Sequence, residues 1–205
     1  MVPIHKQKEP RELTNFRMKR TKPSASYGNM PSDCKQKVKA HLLWEQGYIC
    51  AYCMTRIKEE NSNIEHWDPQ SSQNGNDLNY ANMLATCDKT HLPKEEQTCN
   101  AAKDHSRLEY NPANPSDAAR MKIRYDFNDG AIHSNDDKFD RQLENVLRLN
   151  IAMLRQNRLS VFKAIKKALS KDKKSINKLI AKFTPSTGHN EPYCGIAFYY
   201  LNQVK

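Results

Sequence analysis

The sequence CAYC at residues 50–53 places two cysteines in one tight turn. A C-x2-C turn can supply two thiolates to a single metal ion, because both side chains come to the same side of the chain. Cys87 and Cys99 follow with eleven residues between them, so the second pair has a looser spacing. Together the four cysteines predict a tetrahedral shell of thiolates for a zinc ion. Such a shell has no open position, so this zinc is expected to be structural.

Two alternatives stay open for the second pair of cysteines. Cys87 and Cys99 could be ordinary buried thiols, or His91 could replace one of them as a ligand. The two remaining cysteines, Cys34 and Cys194, are expected in the core as small apolar side chains. The opening MVPIHKQKEPREL lacks the apolar segment of a secretory signal, and no run is long enough to span a membrane. We therefore expect a cytoplasmic protein with reduced thiols.

Basic residues are concentrated in the two flanks of the chain. Residues 1–49 carry 10 Lys/Arg against 4 Asp/Glu, residues 138–205 carry 14 against 4, and residues 50–105 carry 5 against 9. Basic flanks suit a polyanion such as nucleic acid, and the mildly acidic centre would attract cations. An equally good alternative is that the basic stretch KAIKKALSKDKKSINK is only a solvated helix face.

The hydrophobic pattern predicts an α+β protein that is mainly helical. We expect an extended N-terminal arm at 1–32 that could dock a partner, a core at 33–110, and a hairpin with basic helices at 111–205 that packs on the core. Helices are expected at 32–47, 99–108, 137–170 and 175–183. Residues 48–57 are expected to form a strand that turns back through the cysteine knuckle, 61–69 a second strand, and 128–130 a hairpin turn. Ser32 or Asp33 would be the N-cap of the first helix. The apolar tail EPYCGIAFYYL is expected to pack on the core.

The stretch EHWDPQS at residues 65–71 lies between the two cysteine pairs. Closing the zinc shell should bring the end of its strand close to the helix after Cys99, so that Glu65 and His66 face Asn100. A carboxylate and an amide oxygen are hard ligands that suit Mg²⁺, and an imidazole can take a proton from water. Such a site favours hydrolysis of a phosphodiester.

The order of the motifs C-x2-C, E-H-x-x-P, N-x4-C and C-N-x-x-K resembles the HNH nucleases, which have a zinc-braced ββα-metal (His-Me finger) fold. The resemblance implies that His66 is the general base and that Glu65 and Asn100 hold a catalytic Mg²⁺ or Mn²⁺. It implies that Asn82 fixes the loop and orients His66, and that Lys103 contacts phosphate or positions the helix. The chain departs from the pattern by having Asn at the last position, where the name-giving motif has His, and Glu where many members have Asp.

Stretches outside the core extend the resemblance to the HNH subunit, PtuB, of Septu-type antiphage systems, some of which accompany retrons. They read EPRELTNFR, PSASYGNMPS, LRLNIAMLRQNR and PYCGIAFYYL. This resemblance implies an effector nuclease with an ABC-type ATPase partner, PtuA, and possible association with a retron reverse transcriptase and its msDNA. The implied substrate is DNA, with a structured RNA such as tRNA as the alternative.

A zinc-braced nucleic-acid-binding module without catalysis is an interpretation from a different functional class. It would account for the cysteines and the charge, but it would leave Glu65, His66, Asn82 and Asn100 without a role.

Overall fold

A computed structural model describes residues 1–19, 24–72 and 74–205, with the side chain of Lys173 left out. Within these residues the protein is α+β and mainly helical, as predicted, with two small antiparallel sheets. The helices are α1 (Arg11–Met18), α2 (Ser32–Glu45), α3 (Asn100–Lys103), α4 (Pro115–Arg120), α5 (Asp137–Asn145), α6 (Ala152–Lys171), α7 (Ile176–Phe183) and α8 (Cys194–Val204). The strands are β1 (Ser62–His66), β2 (Met83–Cys87), β3 (Ile123–Tyr125) and β4 (Ile132–Ser134).

Several predicted elements are confirmed. Helix α2 and helix α7 lie where the periodicity placed them, and β3 pairs with β4 across the predicted turn at 128–130. The apolar tail forms α8, which packs on the core through buried residues such as Ile196 and Leu201. Cys34 and Cys194 are buried, as expected. None of the helices in the described part of the chain is long and apolar enough to cross a membrane.

The N-terminal arm differs from the extended chain that was expected. Residues 11–18 form α1, and residues 20–23 of the predicted arm lie outside the described residues. Leu13 is fully buried and Phe16 packs against the core. These two residues are three positions apart, which places them on the same face of the helix. Met1 and Ile4 are buried in the same core. With so few apolar residues the helical pattern is weak, and tertiary packing stabilises it.

Lys6 fastens the arm to the centre of the molecule. Its Nζ lies 2.6 Å from Glu45 Oε1 in α2 and donates to the carbonyl of Met83 in β2 at 2.9 Å. The same ammonium lies 3.8 Å from the ring centroid of Tyr80. The glutamate is fully buried, so the lysine supplies the countercharge that its burial requires.

The first cysteine pair lies in a turn, as predicted, but the chain on either side of it does not form the full strand that was expected at 48–57. Only one isolated bridge, between Ile49 and Arg56, flanks this turn. The amide of Cys50 donates to the carbonyl of Thr55 at 2.9 Å, which closes the knuckle. The second predicted strand exists as β1, which ends at His66 and pairs with β2 so that His66 lies opposite Met83.

Two helix ends were predicted wrongly. Pro31 occupies the N-cap of α2, so neither Ser32 nor Asp33 caps it. The helix after Cys99 covers only Asn100–Lys103 and ends where Asp104 has a φ of 49°.

The predicted helix at 137–170 is two helices, α5 and α6, separated by a buried linker. Arg148 in this linker has a φ of 52°, and Leu147 and Leu149 on either side of it are fully buried. The carbonyl of Leu147 accepts a hydrogen bond from the amide of Cys99 at 2.9 Å. The linker therefore contacts a cysteine that is distant in the sequence. Local periodicity cannot predict a break in the helix that arises from such a long-range contact.

Arg158 in α6 is fully buried and holds this linker in place. Its Nε donates to the carbonyl of Gly130 at 2.6 Å, and its Nη2 donates to the carbonyl of Leu149 at 2.8 Å and to Asn150 Oδ1 at 3.1 Å. No carboxylate in the described part of the chain forms a salt bridge with it. One side chain thus joins α6, the turn of the β3–β4 hairpin and the α5–α6 linker.

We expect Arg158→Met to lower the free energy of unfolding by about 2–4 kcal/mol, because it leaves several buried acceptors without donors. Arg155→Met is the matched control: this arginine lies one turn earlier, pairs with Asp129 and is 35% exposed, so a loss below about 1 kcal/mol is expected. Urea denaturation of both variants checks this, and equal losses would contradict the structural role of Arg158.

Candidate metal centre and active site

The four predicted zinc ligands form one buried cluster. Their sulfur atoms lie within 4.8 Å of one another, and the Cys50–Cys99 and Cys53–Cys87 pairs are each separated by 3.8 Å. A tetrahedron of sulfurs around zinc, with Zn–S bonds of about 2.3 Å, has edges of about 3.8 Å. The cluster therefore fits a zinc ion. Among the described residues it contains no histidine, which favours four thiolates over the alternative with His91.

Three separate elements bring these cysteines together. The knuckle supplies Cys50 and Cys53, β2 ends at Cys87, and Cys99 immediately precedes α3 with a φ of 59°. Burial alone would raise the pKa of Cys50, but hydrogen bonds from the other three thiols lower it. Burial and the same contacts raise the pKa of Cys99. A divalent cation held by the cluster would stabilise thiolates at all four positions.

The structure brings three of the predicted catalytic-site residues to one cavity. Glu65 and His66 at the end of β1 and Asn100 at the start of α3 all line a cavity of about 400 Å³. Their proximity agrees with the expectation from the cysteine spacing. The cavity is also lined by residues that the sequence reading did not identify, among them Gln70, Thr90, Asp104 and His105.

Glu65 is buried and forms an ion pair. Its Oε1 lies 2.8 Å from Lys103 Nζ and accepts a hydrogen bond from the Tyr52 hydroxyl at 3.3 Å. Burial raises the pKa of Glu65, and the charge of Lys103 opposes this change. Both contacts use Oε1, so Oε2 remains for a cation. Tyr52 was missed by the sequence reading, although its place inside the C-x2-C turn puts it beside the metal cluster.

Lys103 positions α3 on β1. Its side chain is only 1% exposed, and besides Glu65 it donates to the carbonyl of His66 at 3.2 Å. Of the two roles that the resemblance implies for this lysine, the contacts therefore favour positioning over contact with phosphate.

His66 has a defined orientation, with hydrogen-bond partners at both ring nitrogens. Its Nε2 lies 2.9 Å from the carbonyl of Asp77, so Nε2 carries the hydrogen and Nδ1 is the acceptor. The Gln70 side-chain amide lies 3.1 Å from Nδ1. Burial lowers the pKa of His66; Asp77 opposes this change, and Lys103 adds to it. The imidazole therefore tends to remain neutral and able to accept a proton.

Asn82 secures the loop that connects β1 and β2. Its Oδ1 accepts a hydrogen bond from the amide of Asp68 at 2.7 Å, and its Nδ2 donates to the carbonyls of Asp68 and Asn76 at 3.0 and 3.2 Å. These contacts lie in the loop and not on the imidazole. Any effect of Asn82 on His66 must therefore pass through the loop backbone.

Comparison with known proteins gives one informative similarity. No protein-family model matches this chain. The chain is 25% identical over 165 residues to a protein of Vibrio cholerae serotype O1 biovar El Tor named "Retron Vc95 putative HNH endonuclease", and the match covers 77% of each chain. This similarity supports a nuclease of the HNH class. The four-cysteine cluster agrees with the zinc-braced form of such a site.

We expect Cys53→Ser to lose the zinc and cooperative unfolding, because binding of a structural zinc contributes on the order of 10 kcal/mol to folding. The matched control is Cys34→Ser, since this thiol is buried but lies outside the cluster. Metal analysis by mass spectrometry should find about one zinc per chain in the parent and control. A folded Cys53→Ser protein with a full complement of zinc would contradict the assignment.

Proposed function

We propose that this protein is a metal-dependent HNH endonuclease that hydrolyses phosphodiester bonds in DNA, built on a zinc-braced ββα-metal core. One observation carries the proposal: Glu65, His66 and Asn100 line a single open cavity beside the four-cysteine cluster. The similarity to the Vibrio protein agrees with it. A binding module without catalysis would leave this arrangement unexplained.

The ligands at the cavity fit a hard cation. Glu65 offers a carboxylate oxygen and Asn100 an amide oxygen, which are ligands that Mg²⁺ and Mn²⁺ accept. A bound ion would supply the positive charge that stabilises the developing charge on phosphate and on the leaving oxygen. The open cavity leaves room for a phosphate group and water beside these two side chains.

His66 is the general base of the proposed reaction. A water oxygen attacks phosphorus, its proton passes to Nδ1, and the bond from phosphorus to the leaving oxygen breaks. The Asp77 carbonyl continues to accept the hydrogen of Nε2 and stabilises the imidazolium that forms. The amide of Gln70 must move from Nδ1 to admit the water.

Basic helices offer a surface for the nucleic-acid backbone. The lysines of α6 and α7 are exposed, and they would contribute a sequence-independent attraction to phosphates. They are Lys163, Lys166, Lys167, Lys171, Lys178 and Lys182.

We further propose that this nuclease is the effector of a cytoplasmic antiphage system of the Septu type. The resemblance to PtuB suggests an ABC-type ATPase of the PtuA kind as partner, and the word retron in the relative's name suggests a reverse transcriptase and its msDNA. The proposed docking surface is either residues 1–32 or the basic helices. Co-purification with the product of the neighbouring gene tests the ATPase partnership, and recovery of this chain alone would count against it.

We expect His66→Ala to lower Mg²⁺-dependent cleavage of plasmid DNA by about 10²–10⁴-fold while keeping its zinc, because a general base contributes that much. His133→Ala is the matched control, since this histidine lies in β4 and contacts Asp140. Activity should disappear with EDTA and return with Mg²⁺ or Mn²⁺.

Total tRNA is offered to the same proteins in a separate reaction. Cleavage of tRNA but not DNA would support the proposed active site and show that its substrate is RNA. Equal cleavage by His66→Ala and the parent would show that His66 is not the general base. If the parent cleaves neither nucleic acid, a binding module without catalysis is favoured.

A further inference from the structure

Tyr27 lies in the stretch PSASYGNMPS, for which the sequence indicated no role in the site, and its ring packs against His66. The two ring centroids are 4.6 Å apart and the ring planes are almost perpendicular, at 85°. An edge-to-face contact of this kind is favourable and sensitive to orientation. It brings a residue from the N-terminal segment to the imidazole, 39 positions away in the sequence.

The backbone of Tyr27 contacts the loop that orients His66. Its amide donates to Asp77 Oδ2 at 2.8 Å, and the carbonyl of the same aspartate accepts from His66 Nε2 at 2.9 Å. Tyr27 thus contacts the imidazole directly and also holds the residue that is hydrogen-bonded to the imidazole.

The segment around Tyr27 is itself held in a defined turn. Asn29 accepts from the amide of Ser26 at 2.8 Å and donates to the carbonyl of Ser24 at 2.9 Å. Lys35 Nζ in α2 lies 4.7 Å from the centroid of the Tyr27 ring, and Met30 is buried in the core. The ring is therefore supported by α2 and does not merely lie over the site.

These contacts restrict the rotation of the His66 ring. Hydrogen bonds at its two nitrogens define the plane of the imidazole, but each can be replaced by water when the ring turns. Turning the imidazole would also give up its edge-to-face contact with the Tyr27 ring. Because proton transfer depends steeply on the position of the base, a small rotation would slow the reaction.

We propose that Tyr27 is a positioning residue for His66 and holds the imidazole in the orientation needed to accept a proton from water. This inference rests on the proposed nuclease function. The aromatic ring is the group that acts, since among the described residues the His66 ring is hydrogen-bonded to Asp77 and Gln70 and not to the Tyr27 hydroxyl.

The kinetic test compares Tyr27→Ala with Tyr27→Phe on a DNA duplex. Tyr27→Ala should lower kcat by roughly 10- to 100-fold and leave KM within about threefold, because this ring does not line the candidate cavity. Tyr27→Phe keeps the aromatic ring, so its kcat should stay within about twofold of the parent value. Tyr200→Ala is the matched control, since Tyr200 makes an edge-to-face contact with Phe162 in another part of the core.

Asp77 offers an independent check of the backbone contact. Asp77→Ala removes the acceptor for the Tyr27 amide but keeps the carbonyl that orients His66, so we expect a loss of kcat smaller than that of Tyr27→Ala. Asp77→Asn keeps an acceptor oxygen and should behave like the parent.

Nuclear magnetic resonance of ¹⁵N-histidine-labelled protein tests the positioning without any reaction. The His66 ring signals are assigned by their loss in His66→Ala, and Tyr27→Ala should shift or broaden them while Tyr27→Phe and Tyr200→Ala leave them unchanged. If the parent cleaves no nucleic acid, the proposed function fails and these spectra still decide whether Tyr27 orients His66. Unchanged His66 signals in Tyr27→Ala, or an unchanged kcat in an active preparation, would overturn the inference.

Discussion

The four-sulfur cluster is the interaction on which the rest of this structure depends. It joins the turn at 50–53, the end of β2 and the start of α3, none of which could be stable alone. A two-stranded sheet of five-residue strands is marginal in water, and an isolated helix of four residues does not form. A bound zinc would supply the free energy that this polar centre lacks. Through the Cys99 amide and the Leu147 carbonyl, the cluster also fixes the C-terminal half.

The ion pair between Glu65 and Lys103 mainly positions α3 against the end of β1 and adds little stability. A buried pair gains little net stability, because desolvation of both charges opposes their attraction. Here the lysine joins the Glu65 carboxylate and the His66 carbonyl, so α3 and the end of β1 are held together. This places Asn100 and the buried Glu65 around the same cavity, where both could contact one cation.

The N-terminal segment supports the centre of the molecule. Lys6 binds the buried Glu45 and the backbone of β2, and Tyr27 packs on His66. A docking event on this segment would therefore act close to the proposed catalytic base. The basic helices α6 and α7 lie in a different part of the chain, so the proposed nucleic-acid surface and the residues proposed to orient His66 are separate.

The chemistry of the candidate site is readable in the sequence, because it depends on residue types in a fixed order. The C-x2-C turn, Glu65-His66 and Asn100 were identified in this way, and the structure brings the last three residues to one cavity. The hairpin at 128–130 and α7 were also predictable, since turn chemistry and helical periodicity are local properties.

Only the tertiary structure decided the rest, because those features arise from contacts between residues that are distant in the sequence. The break between α5 and α6 provides a carbonyl for Cys99, and α1 depends on packing against the core. The burial of Lys103 and the contact of Tyr27 with His66 have no local signature either. The sequence by itself determined which groups could react, and the long-range packing determined how they are held.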